Sequence, residues 1–452
     1  MFPRYLVEQL RCRYHRFFEN EIFRRVIKNS GYLLSTNGIS AALSMLQGIL
    51  TARLLGVVGY GTLGTIILFV STINNLISFR MNELVVKYVG EYSEKNDQYQ
   101  AAAFFKLAAI TEMIASILAF LLILVLAPIG AKYFTKNIAS SEQFIFYGLI
   151  ILVNLIAESS TGLLQIFDQF RRLGAVNLAQ SIVTLTLITL TYILHGSLTA
   201  VLFCYLVGKS ISAISFSTSA IIEANRRWGK GWWRLSTNIL MPRRKEFARF
   251  AVSTNISASI SLITKDSEVL WVSFLRGPLE AGYYRLALSL ANLVQMPVDP
   301  LPQATYPELS RQVAQNNLIS FRNTLRMGSK LAGSYTMLAS IFLVVLGQAL
   351  ITFLYTGKFL PAYPALVILM FGLLFANTFY WRRISLLALG KADFPAKVNL
   401  VLAAVKIALI FLLVPIYGYL ASAALLSGFY ITGSLIYLWK TRRLLSQMQA
   451  AV

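Results

Sequence analysis

Lys265, Asp266 and Glu268 fall within one helical turn, midway along an apolar run at residues 247–274. A charge at the centre of a bilayer costs about 2.5–3.5 kcal/mol on insertion scales, so three together are kept for a reason. Lys265 and Glu268 are three apart and share a helix face. Two readings fit: a cation for an anionic ligand beside acids that neutralise it or carry a proton, or an internal ion-pair cluster that fixes packing. Lys209 and Lys406 lie mid-run in 198–222 and 396–415 with no acid nearby in sequence. Each either faces a cavity or pairs across helices. Arg285, in the first turn of the run 281–304, meets a ligand or snorkels to the surface. Glu112, Glu158 and Asp299 join Asp266 and Glu268 as candidates for coupling to an ion, because a buried carboxylate is a usual proton carrier. Asn37 and Asn255 sit in two copies of the tripeptide STN, at 35–37 and 253–255. They hydrogen-bond either a polar ligand or a neighbouring helix.

Other chemistries lack their residues. The two cysteines, Cys12 and Cys204, are far apart, and the only histidines are His15 and His195. No metal-ligand spacing and no cofactor motif is present.

The elements that hold these residues are membrane helices. Of 452 residues, 56% are hydrophobic and 13% charged, and the mean hydropathy is +0.63. A soluble domain carries about 25% charge. Twelve runs are long and apolar enough to span, since a span needs about 20 residues. They lie near 29–54, 60–82, 100–127, 143–164, 174–194, 198–222, 247–274, 281–304, 325–348, 363–389, 396–415 and 418–439. The first 28 residues form a basic arm without the apolar core of a cleavable signal peptide.

The net charge is +22. Its cations fill short polar gaps between apolar runs, a membrane pattern rather than a nucleic-acid footprint. With the N-terminus in the cytoplasm, thirty-one Lys and Arg fall on the cytoplasmic side and five on the other. The positive-inside rule therefore places both termini in the cytoplasm. The stretch RRWGKGWWRL (226–235) mixes cations with three tryptophans, which suits an interfacial segment pressed on anionic membrane lipid. The opposite loops are short, and the longest, around 128–142, offers Glu142 as its one acid.

The chain repeats. ARLLGVVGYG (52–61) has a counterpart in FLRGPLEAGYY (274–284). The STN copies, Gly56 with Gly277, Tyr60 with Tyr283, KLA at 106 and 330, VNL at 176 and 398, and Gly196 with Gly418 keep their order at offsets of 218 to 224. This predicts a duplication of six helices. Six is even, so the halves are parallel repeats around a central cavity. The expected domains are a basic arm (1–28), a first half (29–224), a basic Trp-rich linker (225–246), a second half (247–440) and a tail (441–452).

SISLITKDSEVLWVSFLRGPLEAGYYRLALSLANLVQMPVDPLPQATYPELSR (259–311) resembles the seventh and eighth helices of polysaccharide flippases. These Wzx-type proteins belong to the multidrug/oligosaccharidyl-lipid/polysaccharide exporter superfamily. Asp266, Gly277, Gly282, Tyr283, Pro297, Pro307, Leu309, Ser310 and Arg311 fall on their pattern, and the likeness covers essentially the whole chain. It departs in the long arm and in the extra acid Glu268.

The resemblance implies an all-α membrane fold of twelve helices that exports a lipid-linked oligosaccharide across the bacterial inner membrane, without enzymatic chemistry or cofactor. It also implies a coupling ion, proton or sodium, and a polysaccharide polymerase as partner. Lys265, Arg285, Lys209, Lys406, Asn37 and Asn255 then become the expected substrate contacts. A drug/cation antiporter of the same fold is the first alternative. The first run carries no acid, and the five intramembrane cations favour an anionic cargo. A glycan polymerase or glycosyltransferase is the second, and it lacks the long acidic outer loop such enzymes need.

Overall fold

The computed structural model describes residues 21–262, 267–315, 317–391 and 393–450. They are helical, with no β-strand among the described residues. In chain order the long helices are α1 (Glu21–Ile77), α2 (Met81–Glu94), α3 (Gln98–Gly130), α4 (Ser141–Val153), α5 (Ala157–Ile166), α6 (Phe170–Ile193), α7 (Leu198–Trp228) and α8 (Arg244–Ser261). Then come α9 (Glu268–Arg276), α10 (Pro278–Gln295), α11 (Pro300–Ala314), α12 (Leu318–Leu354), α13 (Ala362–Ala388), α14 (Asp393–Tyr417) and α15 (Tyr419–Ala450).

Against twelve expected runs, nine helices among the described residues are long and apolar enough to cross a membrane. The difference has local causes. The first two runs abut within α1, separated by the single non-helical residue Gly56, with φ 65° and ψ −174°. The run 281–304 is divided between α10 and α11, and the run 247–274 is described as α8 and α9 on either side of residues 263–266. Gly277, the sequence partner of Gly56, has φ 94° and ψ −179° between α9 and α10. A side chain is strained at positive φ, so both positions favour glycine.

The chain forms two compact units. The first comprises the described residues up to Leu50 with Ile73–Leu124 and Ile145–Ser257. Its core gathers Met81, Tyr88, Phe104, Phe105, Leu163 and Leu240. The linker belongs to this core rather than lying wholly on a surface. Trp232 is buried, stacks 5.3 Å from Phe105 and donates through Nε1 to Asn225 Oδ1 at 2.9 Å. Trp228 packs against the same cluster, and Trp233 stays exposed. Desolvating an indole with its N–H satisfied outweighs leaving it at an interface.

The second unit comprises Thr51–Thr72, Val125–Phe144 and Ala258–Val452. The two early segments join it through close backbone contacts. A Cβ at Gly61 would collide with the Pro278 carbonyl oxygen, and one at Gly282 with the Val57 carbonyl oxygen. Thr65 Oγ1 donates to Ser273 Oγ at 2.9 Å, which donates to the Phe134 carbonyl at 2.8 Å. The compact units therefore follow spatial packing and do not divide at the linker.

Candidate functional site

A polar stripe runs along α1. Asn37, Ser40, Ser44 and Gln47 are spaced three, four and three, which puts them on one helix face. On α6, Gln180 and Ser181 follow Asn177 by three and four residues and so share its face, and on α7 Tyr205 and Lys209 are four apart. These nine residues and Ala41 line one cavity of about 390 Å³ inside the first unit. That volume lies within the range of about 300–1,000 Å³ usual for ligand pockets. Gln47 is buried and braces α1 to α6 by donating to the Ser181 carbonyl at 2.9 Å.

Lys209 is the one charged residue of the lining. It is exposed, and no acid pairs with its ammonium among the described residues. The buried Ser40 hydroxyl has no hydrogen-bond partner among the described residues. An unsatisfied buried hydroxyl costs about 1–3 kcal/mol, which a polar ligand would offset. Amides, hydroxyls and one cation match a ligand with many hydroxyls and a negative charge.

The second unit treats its charges differently. Lys406 on α14 and Glu268 at the start of α9 form an ion pair, 4% and 2% exposed. The buried Tyr284 hydroxyl on α10 donates to the other Glu268 oxygen. This triad knits three helices, and the Lys406 ammonium faces Glu268 rather than a cavity. Arg285, expected to meet cargo or snorkel, donates to the Tyr60 carbonyl at 2.6 Å and lies 4.2 Å above the Tyr60 ring. It fastens the segment 51–72 to α10.

The remaining acids have structural partners. Glu112 on α3 accepts from the Glu158 and Ser159 backbone N–H groups, both at 2.8 Å, and from the Ser159 hydroxyl at 2.5 Å. It caps the N-terminus of α5, where unpaired N–H groups and the helix dipole favour an anion. Glu158 does the same for α2, accepting from Met81 N at 3.0 Å and from the Ser78 hydroxyl at 3.1 Å. Asp299 is exposed and accepts from Gln295 at 2.7 Å. Asn255 donates to the Ser78 carbonyl, between helices. Lys265 and Asp266 lie outside the described residues.

Of the expected substrate contacts, the structure thus gathers Asn37 and Lys209 at one cavity. Sequence reading missed Ser40, Ser44, Gln47, Asn177, Gln180, Ser181 and Tyr205. Their signal was polar residues three and four apart inside mostly apolar runs, clearest in the three–four–three spacing on α1.

Comparison with known proteins adds a family and a fold. A family model described as polysaccharide biosynthesis protein matches residues 26–313. The chain is 20% identical over 353 residues to the inner membrane protein YghQ of Escherichia coli, covering 77% of this chain and 97% of that protein. It is 23% identical over 401 residues to the capsular polysaccharide biosynthesis protein CapF of Staphylococcus aureus, covering 88% and 94%. Its fold matches an inward-facing MATE family multidrug transporter of the MOP superfamily with a TM-score of 0.73, at 12% identity over 91% of this chain and 96% of the other. It matches the lipid II flippase MurJ with a TM-score of 0.70, at 16% identity over 91% and 87%.

Proposed function

The chain belongs to the polysaccharide biosynthesis protein family, and on that premise we propose that it is a flippase for a polyprenyl-diphosphate-linked oligosaccharide in the bacterial inner membrane. It works by alternating access, with both termini in the cytoplasm. The observation that carries this reading is the cavity of about 390 Å³ lined by amides, hydroxyls and the unpaired Lys209. Side-chain amides and hydroxyls both donate and accept, so they exchange hydrogen bonds with sugar hydroxyls as water does. Lys209 supplies a compact positive charge for the diphosphate or an acidic sugar. Lys265 is assigned a second contact with the diphosphate. The inner-membrane placement draws support from the cation imbalance of the polar gaps and from the name of the relative YghQ.

Binding sugar through neutral groups leaves the complex able to dissociate, because each hydrogen bond replaces one to water and nets only about 0.5–1.5 kcal/mol. That suits a transporter, which must release what it binds. Among the five acids, Asp266 keeps the coupling role in this proposal. Glu112 and Glu158 serve as helix caps, Glu268 neutralises Lys406, and Asp299 meets solvent. The cavity lining carries no acid, which weighs against a cationic drug as cargo.

The test is complementation of a strain that lacks this chain. Lys209→Ala, at wild-type abundance in the membrane, is expected to lower surface polysaccharide at least about tenfold, the effect of about 1.4 kcal/mol. Normal polysaccharide from Lys209→Ala would remove the cavity from the mechanism.

A further inference from the structure

The first unit holds a second cavity, of about 460 Å³ and largely apolar, that the proposed transport does not use. Its floor is cut into the core, since Met81, Leu84, Phe104, Ala108, Leu240 and Phe247 are all buried. It is therefore an invagination and not a stretch of helix facing lipid. One wall is the linker, through Thr237, Leu240 and Met241, and the rim carries Arg244, the first residue of α8.

Several cations of this unit are already engaged. Arg172, Arg226 and Arg227 converge on the buried Glu223. Arg243 pairs with Glu91 and Glu246 at 3.0 and 2.9 Å. Lys106 donates to the Leu235 carbonyl at 3.0 Å. Arg244 is exposed, and its guanidinium has no acidic or carbonyl partner among the described residues. An apolar slot with one unpaired guanidinium at its mouth is complementary to an amphiphile with one negative charge.

We propose that this slot holds one acyl chain of an anionic membrane phospholipid, with its phosphate on Arg244. A single guanidinium balances one phosphodiester, and arginine recognises phosphate in a bidentate geometry. The volume accommodates a fatty-acyl chain and is too small for a long polyprenyl tail. The bound chain fills the space between the linker and α3, where Thr111 lines the slot next to the cap residue Glu112. The lipid thereby ties the linker to the helices that the two capping acids hold in place. This inference concerns a resident lipid and does not depend on the identity of the cargo.

The test uses the purified full chain in detergent, with bound lipids counted by native mass spectrometry. Phosphatidylglycerol, phosphatidylcholine and undecaprenyl phosphate are offered separately and in competition. One retained phosphatidylglycerol is expected in preference to phosphatidylcholine. Arg244→Ala should weaken that retention about fivefold, the contribution of one cation near an anionic headgroup. Lys245→Ala, which lies outside the slot, should leave it unchanged. Ala248→Trp, at an exposed lining position, should abolish it while thermal unfolding in detergent alone stays cooperative. Equal retention of both phospholipids, wild-type retention by Arg244→Ala, or displacement of phosphatidylglycerol by equimolar undecaprenyl phosphate would overturn the proposal.

Discussion

Lys209 in the first unit and Lys406 in the second are both lone lysines in the middle of an apolar helix, and their surroundings differ in kind. Lys406 meets Glu268 in a site where both side chains are almost fully buried, and Tyr284 fills the second carboxylate oxygen. Lys209 stands in a cavity among neutral amides and hydroxyls with no acid in the lining. A charge neutralised inside the protein holds helices together. A charge left without a counterion has a favourable interaction still to make. The pair therefore belongs to the fold of the second unit, and the unpaired lysine is the one the proposed function assigns to the ligand.

Substitutions test that contrast. The largest effect on stability is expected from Lys406→Met, which strands Glu268 without its counterion at a cost of about 3–5 kcal/mol. Membrane abundance and the unfolding temperature should fall together. Adding Glu268→Leu should recover most of the loss, because two apolar side chains replace a buried pair with little penalty. Gly61→Ala comes next. Its Cβ would strike the Pro278 carbonyl, and backbone yields less readily than a side chain, so about 1–3 kcal/mol is expected in thermal unfolding. Arg285→Lys should cost about 1 kcal/mol through its weakened stacking on Tyr60. Lys209→Ala should leave the unfolding temperature unchanged or raise it, since it removes a charge with no acidic partner among the described residues. Asp299→Asn, at an exposed site, should stay within about 0.5 kcal/mol. Comparable destabilisation by Lys209→Ala and Lys406→Met would erase the distinction between the two lysines.

The fold was legible where a local pattern determines it. Apolar runs mark helices, and Gly56 and Gly277 mark breaks that only a residue without Cβ takes easily. The site was legible in part. Lys209 and Asn37 stand out as polar residues in apolar runs, and the stripe of Ser40, Ser44 and Gln47 was there to be read at helical spacing. Partners brought together by folding were not legible. Glu268 and Lys406 are 138 residues apart, Tyr60 and Arg285 are 225 apart, and Glu112 lies 47 residues before Ser159. In each case the sequence shows a charge in an apolar run, and only the packing shows whether it has a partner. The linker adds the converse lesson. Its Trp and Arg residues look interfacial, but Trp232 enters the core because Asn225, seven residues earlier, accepts its N–H.

The most direct test is photo-crosslinking in membranes that make the lipid-linked oligosaccharide proposed as cargo. A photoreactive residue replaces Ser44 or Asn177 in the cavity lining, or Leu270, buried in the second unit on the helix that carries Glu268. Adducts bearing glycan are expected from positions 44 and 177, and to be lost when Lys209→Ala is added, with none from position 270. Adducts from position 270 with none from 44 or 177 would contradict the account and move the cargo site to the second unit.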